Sequence, residues 1–182
     1  MSERFEPFDP ARLPADARAV YDRIMSERGY IPGPYLFWLA APGFTDRIEP
    51  VEEYLRYGVS LGERQVEVIT LVVAKHWRAR YVWTSHRPSA EKVGVDPAVV
   101  EAIRSGAEPD FDNEDERVCY EASKALVDGR GLDDALWGRT VAAIGERGLG
   151  ELLGLIGLYT SVCLTMVAYR MPTKYGEPDP LP

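Results

Sequence analysis

One stretch, residues 60–86 (SLGERQVEVITLVVAKHWRARYVWTSH), limits what this chain can fold into more than any other. Ser60 followed three residues later by Glu63 has the form of a helix-opening capping box. Val66, Ile69 and Val73, with Leu61, recur at helical spacing and predict an inward stripe. Leu71, Val72 and Ala74 broaden it, so the helix is expected to be buried on most sides. VEVITLVV would suit a strand by composition, but the surrounding period and the cap favour helix. The pattern pauses at residues 77–79 and resumes through Val93. Two helices, 62–76 and 79–93, packed against each other, are therefore expected. Pro88 removes the hydrogen bond to Thr84 and predicts a kink in the second.

The remainder reads the same way. Pro14 can open a helix that Gly29 closes. A rigid Gly-Pro turn follows, then a short apolar helix at residues 35–40 that Pro42-Gly43 is expected to break, and a helix over residues 46–57. Asp96-Pro97 is a cap followed by a first-turn proline, and it predicts a helix over 98–104. EPDFDNEDE (108–116) carries six acids in nine residues, which suits a linker and a helix's first turn. Helices are expected over 116–127, over 135–144 behind Asp133 or Asp134, and from about Gly148 to Arg170, where Pro172 stops the chain. The organisation is an arm (1–13) with Phe5 and Phe8 packing onto the body, one helical domain (14–172) and an irregular proline-rich tail (173–182). The fold class is all-α.

Composition narrows the partners. The 182 residues carry a net charge of -8, and no dense basic run offsets it, which argues against a nucleic-acid partner. Cys119 and Cys163 stand far apart in apolar helical contexts. They form no CxxC pair and no thiolate metal set, and they suit buried thiols in a reducing, cytoplasmic setting. MSERFEPFDP has no apolar signal core. Residues 152–169 approach the length of a membrane span. Gly154, Gly157, Thr160, Ser161 and Thr165 interrupt them, so a central core helix is the expectation, with no membrane partner.

Chemistry centres on few residues. Glu67 and His86 are nineteen positions apart, about 28 Å on one straight helix. Only a chain that doubles back near residues 77–79 can bring them together. A carboxylate on one imidazole nitrogen would then fix the tautomer and leave the other nitrogen for proton transfer. Their alternative is two ordinary polar residues on solvated faces. His76 is the other of the two histidines and suits a helix terminus. Trp77, Tyr81 and Trp83 cluster around the turn, as core, interface or pocket wall, and Tyr159 could offer its hydroxyl to a pocket. No HExxH, nucleophile elbow or nucleotide loop is present, so neither metal nor cofactor is expected.

The segment LGERQVEVITLVVAKHWRARYVWTSHRPSAEKVGV resembles the core motif of the carboxymuconolactone decarboxylase family, which shares its fold with AhpD-like alkylhydroperoxidases. DERVCYEASKALVDGRGLDDALWGRTVAAIGERGLGELLGLIGLYTSVCLTMVAYRMP resembles the second half of that pattern. The resemblance implies an AhpD-like helical fold, a homo-oligomer and a small-molecule pocket. It matches Glu67 and His86 to the family's glutamate and histidine, and places Ala79 and Val82 where AhpD-like members carry two cysteines. A thiol peroxidase would thus lack its reactive atoms. What the resemblance leaves is cofactor-free lyase or proton-transfer chemistry on a lactone or unsaturated acid. His86 would be the acid/base and Glu67 its partner. Trp83, Arg78, Tyr81, Tyr159 and His76 would line the pocket, and Arg78, Arg80 or Arg87 could pair with an acid anion. Val82 and Thr160 depart from the family pattern. Their presence favours the alternative, a non-catalytic helical oligomer that binds a small molecule or a protein.

Overall fold

Helices in the C-terminal half of this chain start on short polar caps, at Asp96, Asn113 and Asp133, and several helices finish on left-handed residues. The computed structural model describes residues 8–182, and the described residues contain helices and loops but no strand. Phe5 lies outside them. The chain forms two compact units, one ending at Tyr57 and one beginning at Gly58.

The first unit holds α1 (Ala15–Arg28), α2 (Tyr35–Trp38) and α3 (Pro42–Glu53), followed by a π turn over Tyr54–Gly58. Pro14 precedes α1, and Gly29, at φ 75°, ends it. Pro42 does not break a helix as expected. It occupies the first turn of α3, where its missing N–H costs nothing. A charge network joins α1 to α3. Arg28 contacts Glu49 at 2.7 Å and Glu53 at 3.1 Å, and Arg23 reaches Asp46 at 3.0 Å and Glu49 at 3.1 Å. Tyr35 is fully buried and donates its hydroxyl to Glu52. Burial, then the Glu52 charge, pushes the Tyr35 phenol well above its ordinary range. The Phe8 and Tyr21 rings sit 5.8 Å apart, the packing expected of the arm.

The second unit is organised around α4 (Glu63–His76). It packs against α5 (Arg80–Lys92), α6 (Pro97–Ser105), α7 (Glu114–Val127) and α8 (Asp134–Ala168). Val68, Ile69, Leu71 and Val73 of α4 are fully enclosed, as its broad apolar pattern requires. The expected Ser60/Glu63 capping box is not formed. Gly62 takes the cap position, and its N–H donates to Gln65 Oε1 at 2.5 Å. Ser60 instead donates both its N–H (2.7 Å) and its hydroxyl (2.6 Å) to the buried carboxylate of Glu151 on α8. That stronger, charged acceptor draws Ser60 away from the helix end.

Asp96 caps α6 through the Ala98 N–H at 2.7 Å, and Asn113 and Asp133 cap α7 and α8. Pro88 lies inside α5, which runs on to Lys92. The two expected C-terminal helices form one 35-residue run, broken at Gly145 (φ 69°, ψ 172°). Only glycine adopts that backbone readily. Beyond the break, α8 is long and apolar enough to cross a membrane by composition. Its Leu152, Leu155, Cys163 and Met166 are nevertheless enclosed in this unit's core. Residues past Arg170 form a strap with one 3-10 turn, Lys174–Gly176.

Candidate active site

The α4–α5 turn decides whether the two halves of the site can meet. Trp77 ends α4, and Arg78 then adopts a left-handed conformation, φ 50°. The Ala79 N–H closes back onto Ala74 O at 2.9 Å. This is a Schellman closure, normally built on glycine. Gly94 and Gly129 play that part after α5 and α7, where Val95 returns to Ala90 and Arg130 to Ala125. Here an arginine does it, and three residues reverse the chain.

The reversal brings Glu67 and His86 together. Glu67 Oε2 lies 2.8 Å from His86 Nδ1, and the two side chains are 7% and 14% exposed. The expected juxtaposition therefore exists, and both groups are withdrawn from bulk water. A carboxylate at Nδ1 favours the tautomer that carries hydrogen there and a lone pair on Nε2. The buried ring of Tyr159, from α8, stands edge-on to the imidazole with centroids 5.1 Å apart. It restricts rotation of the ring. The neighbouring Thr160 accepts a hydrogen bond from Trp77 Nε1 at 3.4 Å, tying the turn to α8.

His76 and Arg78, also expected in the pocket, separate from this dyad. His76 follows Glu67 by nine residues, which on a helix is about 13 Å along the axis and the opposite face. It approaches Asp128 of α7 at 3.6 Å instead. Arg78 lines the same cleft as His76. Trp83 is fully buried, and its indole N–H has no acceptor among the described residues. Trp83 lies beneath a second cleft, with Arg87 and Pro97 around it. Tyr81 is half-buried in the first turn of α5.

The arginines expected to meet an acid anion are partly engaged by the tail. Arg80 pairs with Asp179 and Arg87 with Glu177, each at 3.7 Å, and Arg78 donates to the main-chain oxygen of Pro182. Sequence reasoning missed this strap because nothing in PTKYGEPDPLP announces where it docks.

Thiol chemistry is absent from the dyad. Ala79 and Val82 are buried, at the start of α5. Cys119 and Cys163 are free and fully enclosed. Burial, with Asp115 and Glu116 adding to it, pushes the Cys119 thiol up to about 12, and burial also raises that of Cys163. Neither forms a thiolate at neutral pH. Ellman's reagent is accordingly expected to leave both unlabelled in the native protein at mildly alkaline pH, and to label both in guanidinium. Rapid native labelling would contradict their burial. No cluster of three or more His, Cys, Asp or Glu residues able to hold a metal occurs among the described residues.

The chain matches no family model and no curated protein. Its likeness is to solved structures. One is the AhpD core of an uncharacterized peroxidase-related protein from Ralstonia eutropha JMP134, with a TM-score of 0.75 and 12% identity, covering 98% of this chain and 97% of that one. Another is the debrominase Bmp8, at TM-score 0.69 and 15% identity over 89% and 88% of the two chains. Bmp8 has also been solved with 2,3,4-tribromopyrrole. A protein of unknown function from Agrobacterium tumefaciens matches at TM-score 0.67 and 16% identity over 76% and 95%. The fold is AhpD-like and all-helical, and it lacks a disulfide-forming CxxC pair.

Proposed function

We propose that this protein is a cofactor-free proton-transfer enzyme, in which His86 is the acid/base and Glu67 its positioning residue. The observation that carries this reading is the 2.8 Å contact between Glu67 Oε2 and His86 Nδ1 at a withdrawn site. A solvated helix carboxylate has no reason to be buried against an imidazole. Burial strips water from both groups and is repaid only by a well-made pair. The substrate class is a small lactone or unsaturated carboxylic acid, and the reaction a decarboxylase-like lyase step. Loss of carbon dioxide leaves a dienolate carbanion. Protonated His86 would return a proton to that carbon from Nε2, and Glu67 would stabilise the imidazolium before transfer. Without buried thiolates, peroxide reduction has no nucleophile.

The test is a screen of lactones and unsaturated dicarboxylic acids in deuterated water, with wild type and His86→Ala side by side. Deuterium appearing in product or recovered substrate only with wild type supports the reading. Turnover unchanged in His86→Ala removes His86 from the chemistry. No exchange with any compound favours a binding protein on the same fold.

We further propose that the chain works as a homo-oligomer. Leu153, Leu164 and Val167 lie along α8 at near-helical spacing, and each exposes more than two fifths of its surface. With half-buried Ile156 and Thr160 they form an apolar stripe that a second copy could cover. Light scattering at micromolar concentration is expected to give a multiple of 20.4 kDa. Leu164→Glu is expected to shift it toward monomer. A persistent wild-type monomer would refute the oligomer.

A further inference from the structure

The cleft at the far end of α4 is built unlike its surroundings. It has a volume of about 330 Å³ and lies where α4, α6 and α7 all end. Val72, Ile103 and Val127 give it an apolar lining, and Tyr120 adds a largely buried phenol. Burial, with Glu108, Asp128 and Glu121 adding to it, pushes that phenol up to about 12, so it stays a neutral hydrogen-bond donor. The rim is cationic, in a chain whose net charge is -8.

Not all of these cations need explaining. Lys124 is bonded to Asp128 at 2.8 Å, and Arg130 also reaches Asp128 at 3.2 Å. His76 faces the same carboxylate. Cations near helix ends also offset the exposed carbonyls there. Lys75 and Arg78 remain. Neither pairs with a carboxylate side chain among the described residues, Arg78 donating instead to the main-chain oxygen of Pro182, and both face one cleft. Lys75 is lowered below the usual amine range, first by burial and then by the Arg78 and Arg104 charges. Two like charges are thus held together, partly dry, and the one carboxylate among the described residues that line the cleft, Asp128, is bonded to Lys124.

Arg78 also occupies a left-handed conformation that glycine fills after α5 and α7, as Arg170 does after α8, so a glycine can replace it without backbone cost.

We propose that this cleft binds a small organic anion, its carboxylate between Lys75 and Arg78 and its apolar body against Val72, Ile103 and Val127. The site is distinct from the Glu67–His86 dyad, since His76 and Glu67 lie on opposite faces of α4, and it does not depend on the catalytic reading. The volume suits a ligand of about ten to fifteen non-hydrogen atoms.

The probe is 2-naphthoate, with the isosteric neutral 2-naphthamide as control, titrated calorimetrically into the full chain at low ionic strength. Naphthoate is expected to bind about tenfold or more tightly than the amide, because a charge-assisted contact is lost with the carboxylate. Arg78→Gly removes the guanidinium and its bond to the Pro182 main-chain oxygen while suiting the backbone, and a thermal melt checks that the variant is folded. Lys75→Met keeps the apolar stem. Each is expected to weaken naphthoate about tenfold and leave the amide unchanged. His86→Ala is expected to bind as wild type does. No binding, equal binding of acid and amide, or binding indifferent to both cleft variants would overturn the proposal. So would binding lost in His86→Ala alone, which would place the anion at the dyad.

Discussion

Replacing His86 with alanine is expected to lower deuterium exchange into a turned-over substrate by about a hundredfold to ten-thousandfold, the usual worth of a positioned acid/base. Because the change also takes the imidazole away from the buried Glu67 carboxylate, some stability is lost with it, and a urea titration of the variant separates that loss from the loss of chemistry. Glu67→Gln should be milder and different in kind. The amide oxygen can still accept the Nδ1 hydrogen but supplies no charge to an imidazolium. It is therefore expected to lower kcat with little change in KM, the signature of an interaction that strengthens only as the proton moves. If Glu67→Gln instead raised KM and left kcat alone, the carboxylate would be a substrate contact. If Glu67→Gln and His86→Ala unfolded the protein equally, the pair would be structural.

Trp83→Ala is expected to cost about 3–5 kcal/mol of stability, typical of an aromatic deleted from a tight core. Its ring is fully enclosed, at the centre of α5's inward face. Small domains have about 5–15 kcal/mol in total, so the variant should sit near unfolding at moderate temperature. Trp83→Phe provides the control. The indole N–H has no acceptor among the described residues. Losing it forfeits no hydrogen bond and removes a buried donor left unpaired. The phenylalanine variant should thus lie far closer to wild type in a urea titration. Had Trp83 been mainly a pocket wall, both variants would disturb substrate affinity while leaving the urea midpoint in place.

Helix boundaries were legible wherever the signal was local. Asp96-Pro97 and Gly29 act within a turn of their own positions, and each does what its residue type dictates. Glu67 and His86 were legible as candidates because a carboxylate and an imidazole on one helical region can share a proton if the chain turns back between them. Their meeting depended on a reversal whose residue, Arg78, carries no turn signature. Left-handed backbone is expected of glycine or asparagine, and an arginine there is silent in sequence. Ser60 misled for a related reason. Its capping pattern was real, but an acceptor 91 residues away, Glu151, outcompeted the helix end. The separation of His76 from the dyad could have been read from spacing, since nine residues place it half a turn round α4. The cleft it borders needed α6 and α7 to be in place, and no local pattern in the chain says where those helices dock.

The C-terminal strap supplies an internal clock for motion. It has almost no regular structure, yet the Lys174 N–H is bonded to Thr84 Oγ1 at 2.9 Å, Arg104 donates to Pro180 O at 2.9 Å, and Leu181 is buried. Such a segment peels away without disturbing the helices beneath it, so its amides report local release rather than global unfolding. Exchange of the Lys174 amide, compared with that of Ile69 in α4, would measure how often the outer side of α5 is uncovered. Trypsin cutting at Lys174 would count the same event, because a peptide bond held against a helix is not cleaved until it lets go. A tail without secondary structure is ordinarily the first part of a protein to be lost. Here its lifetime is set by Thr84, by Arg78, Arg80, Arg87 and Arg104, and by the burial of its own Leu181.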